Sequence, residues 1–249
     1  MLYKRLIPKI VVDNVGNQTQ PGFRSILTRA FGRYRVIGEP LSQIRIQQSN
    51  LVDEIMLVHR NREYFDSTFC DLILKTCELL TTPLTVGGAI STLEHVKMVF
   101  ESGADKLVIG RNRKNLSLLE EIAANHGIQS LVISIDYTDD DLSLGIDKFL
   151  EKEFSLGYFQ LAGEICLNNI SRDGGGGGVD VRLVGNFKDI TSAPIVVGCG
   201  VANVSHLVEC FEAGSDAVTL STYLSHTDQS IRQIRSHLSA RGVHIRTKD

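Results

Sequence analysis

No apolar run in this 249-residue chain approaches the roughly 18 residues that a membrane-spanning helix needs, so no membrane partner is expected. Charge of one sign is also missing. The formal net charge of −3 offers no field of the kind that gathers nucleic acid. Cysteine is sparse, odd in number and scattered: Cys70, Cys77, Cys166, Cys199 and Cys210 lie mostly inside apolar runs and form no C-x-x-C pair. That pattern excludes a zinc ribbon and fits reduced, buried thiols in a cytoplasmic protein. The seven histidines show no metal spacing, and neither metal nor cofactor is expected. The start, MLYKRLIPKIVV, is basic and then apolar like a signal peptide. Pro8 and Lys9 interrupt the run and no small-residue cleavage site follows, so it reads as a first strand.

The chain does contain a copy of itself. Residues 84–110, LTVGGAISTLEHVKMVFESGADKLVIG, align without a gap to residues 195–221, IVVGCGVANVSHLVECFEAGSDAVTLS, at a constant offset of 111. Gly87 falls on Gly198, His95 on His206, Gly103 on Gly214 and Asp105 on Asp216. Each copy is an apolar run, a glycine turn, an amphipathic segment, a G-x-D turn and a second apolar run. That is a strand–helix–strand unit, and its duplication predicts a two-fold pseudosymmetric α/β fold. Asp53–Leu57 matches Gly163–Leu167 and Leu6–Val11 matches Leu131–Asp136 at nearly the same spacing. Four units per half predict a (β/α)8 barrel, and with 43% hydrophobic residues the chain is long enough to build it as one domain over 1–249.

Strands are expected near 5–12, 54–59, 84–87, 106–110, 131–136, 164–169, 194–198 and 217–222. The clearest helix starts at Ser91-Thr92-Leu93-Glu94, a capping-box spacing, and stops at Gly103; its copy runs from Asn203 to Gly214. Two stretches are expected to be irregular: 14–37, around Pro21-Gly22, and 173–180, with five consecutive glycines from Gly174 to Gly178.

In such a barrel the chemistry sits at the C-terminal ends of the strands. The turns Gly87-Gly88-Ala89 and Gly198-Cys199-Gly200 then face the site, and their backbone N–H groups suit phosphate. Ser221 and Thr222 add hydroxyls, and Gly110-Arg111 adds a guanidinium. The same glycines would equally serve tight βα turns alone. Asp136 ends strand five as a candidate general base or a simple cap. Asn168, Asn169, Ser171, Arg172, Asp173 and Gly174 form a candidate substrate loop, with the glycines as a lid or a loose surface turn. Arg24, Arg29, Arg33 and Arg35, among Phe23, Phe31 and Tyr34, make either a lid over an anion or a solvated basic loop. At the opposite ends, Arg5, Glu54, Lys106 and Glu164 open four strands and can form a neutral ring, either as a structural plug or as a gate.

These residues resemble a known family. RLIP at 5–8, PLTVGG at 83–88, SGADK at 102–106, SID at 134–136, GEI at 163–165 and RDG at 172–174 are similar to the cyclase subunit of imidazole-glycerol-phosphate synthase. The likeness covers the chain apart from 14–37 and roughly 138–160. It implies a barrel that docks a glutaminase at its bottom and passes ammonia to a bisphosphorylated ribonucleotide at its top. Arg5, Glu54, Lys106 and Glu164 match that family's gate at all four positions. The top departs. Asp136 matches the second catalytic aspartate, but Val11 stands where the first would be; Asp13, two residues on, is the alternative acid. No lysine occurs between Lys9 and Lys75, so the first-loop lysine is missing, and Gly110-Arg111, Cys199 and Gly175 replace family residues. The resemblance therefore implies a retained glutaminase partner and a changed phosphorylated substrate. Its alternatives are a channelling subunit for a third enzyme in surface-sugar amidination and a histidine-biosynthesis cyclase.

Overall fold

The computed structural model describes residues 3–15, 22–61 and 65–246; Pro21 lies outside them. The strands are β1 (Arg5–Asn14), β2 (Phe23–Arg29), β3 (Arg33–Gly38), β4 (Ile55–His59), β5 (Leu84–Gly87), β6 (Lys106–Ile109), β7 (Leu131–Tyr137), β8 (Glu164–Asn169), β9 (Ile195–Gly198) and β10 (Ala217–Leu220). Eight of them, β1 and β4 to β10, pair in parallel, and β10 returns to β1 to close a barrel. Outside the ring run α1 (Pro40–Ser49), α2 (Thr68–Cys77), α3 (Leu93–Glu101), α4 (Leu116–His126), α5 (Ile146–Phe154), α6 (Val181–Ile190), α7 (Val204–Glu212), α8 (Thr222–His226) and α9 (Ile231–Ala240). The fold is a (β/α)8 barrel.

The barrel follows from strands whose two faces meet different apolar surroundings. One cluster lies between strands and helices and includes Leu6, Leu57, Leu84, Ile133 and Leu207. A second lies inside the ring: Ile7, Met56, Val132, Cys166, Val196 and Ala217, with Val58 and Val108 against it. Side chains alternate along a strand, so β1 sends Leu6 outward and Ile7 inward. Burial on both faces explains why the strands are near-continuous apolar runs.

The internal repeat is realised atom for atom. Asp105 Oδ2 accepts from Leu84 N at 2.8 Å, and its counterpart Asp216 Oδ2 accepts from Ile195 N at 3.0 Å. Each G-x-D turn thus pins the start of the preceding strand. Gly103 and Gly214 take φ of 104° and 103°, a conformation that disfavours a side chain. Thr92 and Asn203 cap α3 and α7 by accepting from His95 N and His206 N. The capping box expected from Ser91 to Glu94 is not formed. The cap is one residue later: Thr92 has the extended backbone that lets its hydroxyl turn back on the helix and accept from His95 N.

The stretch expected to be irregular holds a β-hairpin. β2 pairs antiparallel with the far end of β1 and with β3, so β1 continues past the barrel as a platform. Its tip uses Ala30 and Phe31 at φ of 49° and 54°. Asp173 holds that tip: its carbonyl accepts from Ala30 N and its carboxylate from Phe31 N, both at 3.1 Å. The glycine run is also tied down. Gly174, at φ 67°, packs so closely on the Thr28 carbonyl that a Cβ would collide with it, and Gly178 N donates to Gly200 O at 2.9 Å.

Candidate functional site

At the C-terminal ends of the strands the ring opens into a cavity of about 360 Å³. Its floor is the apolar interior (Met56, Val58, Val108 and Cys166), and Thr28 and Phe31 of the hairpin close one side. Asp136 lines it, as the end of β7 dictates. Its Oδ1 accepts from Ser134 Oγ at 3.0 Å and from Asn168 Nδ2 at 3.0 Å, and Asn168 also donates to Ser134 Oγ at 2.9 Å. This three-residue net orients the carboxylate, as a base needs. Gly198 allows it: a Cβ there would strike the Asn168 amide oxygen.

Gly87, Gly88, Ala89, Gly110 and Arg111 line the same cavity. Gly200, Ser221, Thr222, Asp173 and Gly174 line a small one of about 20 Å³ beside it. The two repeat-related turns thus end up in two neighbouring pockets. The arginines after β6 have different tasks. Arg113 forks onto Glu153 at 3.0 and 2.9 Å, and Tyr158 donates to the same carboxylate at 2.6 Å. Arg111 has no ion-pair partner among the described residues and lines the cavity.

The candidate acids of β1 separate. Val11 lines the cavity, whereas Asp13 does not. Asp13 Oδ2 is held by Arg60 at 2.6 Å and its Oδ1 by Asn14 N at 2.9 Å, so it is occupied in anchoring the hairpin side of the mouth. Tyr34 of the hairpin covers Arg60, whose guanidinium carbon is 4.6 Å from the ring centroid. Burial lowers the His59 imidazole, although Asp13 lies 3.8 Å from its Nε2. Ser171 also lies off the cavity, accepting from Asp139 N at 3.1 Å. Arg24, Arg29, Arg33 and Arg35 point elsewhere than the main cavity; Arg35 meets His226 at 2.9 Å.

Several cavity residues, His59, Arg60, Ser134 and above all Lys9, escaped the sequence reading. Lys9 follows Arg5 and Ile7 on the inward row of β1 and lines the main cavity and both small neighbours. Burial works against its charge, but neighbouring acidic groups, Asp173 and Asp136 among them, outweigh it and leave the ammonium raised above its ordinary value. Burial pushes the thiols of Cys166 and Cys199 up to about 12, so neither is an activated nucleophile. The signal was the strand parity, four residues on from Arg5.

At the opposite end the four charges meet in a closed ring. Arg5 reaches Glu54 at 2.8 Å and Glu164 at 3.0 Å, and Lys106 reaches the same two carboxylates at 2.9 Å each. Thr85 Oγ1 donates to Glu54 Oε1 at 2.6 Å, satisfying the remaining oxygen. Among the described residues no group of His, Cys, Asp and Glu is placed to hold a metal ion, and no helix is long and apolar enough to cross a membrane.

Known proteins are similar to this chain along nearly its whole length. The model of the family described as histidine biosynthesis protein matches residues 24–230. The chain belongs to that family. A relative from Prochlorococcus marinus (strain MIT 9313), provisionally named imidazole glycerol phosphate synthase subunit hisF2, is 34% identical, covering 99% of each chain. The imidazole glycerol phosphate synthase subunit HisF of Exiguobacterium sibiricum is 28% identical over 99% of this chain and all of its own. The corresponding subunit of Pyrobaculum aerophilum is 29% identical over 97% and 98%. Identities near 30% with full coverage make this chain a divergent HisF-like member of the histidine biosynthesis family.

Proposed function

We propose that this protein is the cyclase-type subunit of a glutamine amidotransferase, taking ammonia from a glutaminase at its bottom face and using it on a phosphorylated sugar or nucleotide at its mouth. The observation that carries this is the ring of Arg5, Glu54, Lys106 and Glu164 standing directly below an apolar bore. Neutral ammonia tolerates such a bore, whereas ammonium would lose its hydration there. The cations are the more exposed members of the ring: the side chains of Arg5 and Lys106 are 23% and 18% accessible, against 3% for Glu54. They therefore lie nearest the solvent into which one of them could swing. Lysine, a point charge on a flexible stem, suits that movement better than arginine.

At the mouth, Asp136 acts as base, held by Ser134 and Asn168. Phosphate groups rest on the turns of Gly88 with Arg111 and of Gly200 with Ser221 and Thr222, as backbone donors and hydroxyls favour. Asn168, Asp173 and Gly174 shape the wall between them, the last two by fixing the hairpin. Val11 in the position of an acid favours a second reading, in which the subunit hands ammonia to a third enzyme, as in amidination of a surface sugar. A histidine-pathway cyclase ranks behind both for the same reason. The test is co-purification with a cognate glutaminase, followed by glutaminase rates with candidate phosphorylated ligands. Failure of any glutaminase to bind removes the reading; ligand-stimulated glutamine hydrolysis without a new product selects the channelling form.

A further inference from the structure

Other substantially buried cations pair with a carboxylate: Lys4 with Asp216, Arg5 and Lys106 in the ring, Arg113 with Glu153, and Arg235 with Asp53 at 2.8 Å. Lys9 is different. Among the described residues its one hydrogen-bond partner is Cys199 Sγ at 3.8 Å, and no carboxylate comes within ion-pair reach. A thiol pushed up to about 12 is uncharged near neutral pH and a weak acceptor. The two nearby acids are engaged elsewhere: Asp136 with Ser134 and Asn168, Asp173 with Phe31 N. The ammonium sits where the main cavity meets the pocket of Gly200, Ser221 and Thr222, and the Phe31 ring of the hairpin tip lies 6.0 Å from it.

Of the four cations lining the main cavity, Arg60 is neutralised by Asp13 and Arg113 by Glu153. Lys9 at depth and Arg111 at the rim are left to face a ligand. We propose that Lys9 is a ligand-binding residue of the mouth, whose ammonium receives an oxyanion, phosphoryl or carboxylate, at the deep end of the cavity. The proposal rests on the mouth being the ligand site. It adds a deep anionic contact to the two rim turns, and a buried cation without a counter-ion is the kind of group that a site keeps for its ligand.

Calorimetric titration of the full chain with inorganic phosphate and, separately, acetate tests this, using wild type, Lys9→Met and Lys9→Arg. Loss of a charged hydrogen bond predicts roughly 10- to 100-fold weaker binding for Lys9→Met, with Lys9→Arg retaining most of the affinity. Whichever anion is lost identifies the chemistry at the deep end. Melting gives an independent readout. A lysine kept for structure would lose stability on replacement by methionine, whereas one lacking a counter-ion should leave Tm unchanged or raised. Lys9→Gln serves in the same titration if Lys9→Met folds poorly, and wild-type crystals grown with phosphate should show the anion within hydrogen-bond reach of Nζ. Unchanged anion affinity in the Lys9 variants, with wild type binding, overturns the role of Lys9 alone. Wild type binding neither anion overturns the mouth as an anion site, and Lys9 with it.

Discussion

Lys106 Nζ stands 2.9 Å from Glu54 Oε2 and 2.9 Å from Glu164 Oε1, joining carboxylates carried by strands on opposite sides of the barrel. Arg5 makes the same bridge, so each carboxylate has two cations and each cation two carboxylates. Removing Lys106 leaves two carboxylates on one guanidinium. Lys106→Ala should cost about 3 kcal/mol or more in denaturant unfolding. A gate and a plug both predict that loss. The ratio of glutamine-dependent to ammonium-dependent product, measured with the glutaminase bound, separates them: it should change in the variant, and an unchanged ratio assigns the ring to structure.

Val11 lines the cavity where a second acid–base group would stand opposite Asp136. With ammonium supplied directly, turnover of the histidine-pathway nucleotide should therefore be low, since loss of a general acid costs about 10²–10⁴-fold. Val11→Asp should restore part of it in a steady-state assay. Wild-type rates near those of a complete cyclase would contradict this.

Soaking crystals with phosphate or sulfate should place one anion against Gly200 and Thr222 and another against Gly88 and Arg111. The first should persist to lower concentration, because hydroxyl and backbone donors converge there. Arg111→Met should empty the second site and leave the first occupied. Anions seen only on the exterior would remove both.

Among the described residues four carboxyls, Asp66, Asp141, Glu153 and Asp216, are held low, and the last two are the more buried contributors to the acid limb of stability. Burial alone would raise Glu153, but its bonds to Arg113 and Tyr158 hold it below the ordinary range. Burial likewise opposes Asp216, which Lys188 and the Ile195 N–H hold down. A carboxyl depressed in the folded state contributes stability that is fully present above its unfolded value, about 4. It is lost as pH falls through the folded value. Denaturant midpoints should therefore drop steeply below about pH 4. Glu153→Gln should lower the midpoint at pH 7 and flatten that drop; an equally steep limb in the variant would exclude the pair as its source.

Asp173 couples the loop after β8 to the hairpin tip through Phe31 N and Ala30 N. Asp173→Ala removes only the side-chain bond. Hydrogen exchange at the Phe31 amide should quicken by about tenfold, the equivalent of one hydrogen bond of ordinary strength, while the β7 and β8 amides keep their protection. Gly174→Ala is the stronger perturbation, because φ 67° and the Thr28 carbonyl both oppose a side chain. It should displace the hairpin and lower Tm.

Local pattern was enough for the barrel. Strands buried on both faces must be apolar throughout, and the G-x-D turns that pin β5 and β9 recur at a fixed offset of 111, so all eight barrel strands and their two-fold symmetry were legible in one dimension. The charged ring was legible too, because Arg5, Glu54, Lys106 and Glu164 each stand at the start of an apolar strand. Tertiary structure decided what depends on partners distant in the chain. The segment 23–38 reads as a basic loop among aromatics, with Gly32 at its turn, and it becomes a hairpin because β1 offers an edge and Asp173 catches the tip. Asp13 resembles a displaced acid until Arg60 is seen on it, 2.6 Å away. Lys9 resembles an interruption of an apolar run until closure of β10 on β1 brings Cys199 and Asp173 around it. Periodicity records which face a residue occupies; only closure of the ring supplies the charges it meets there.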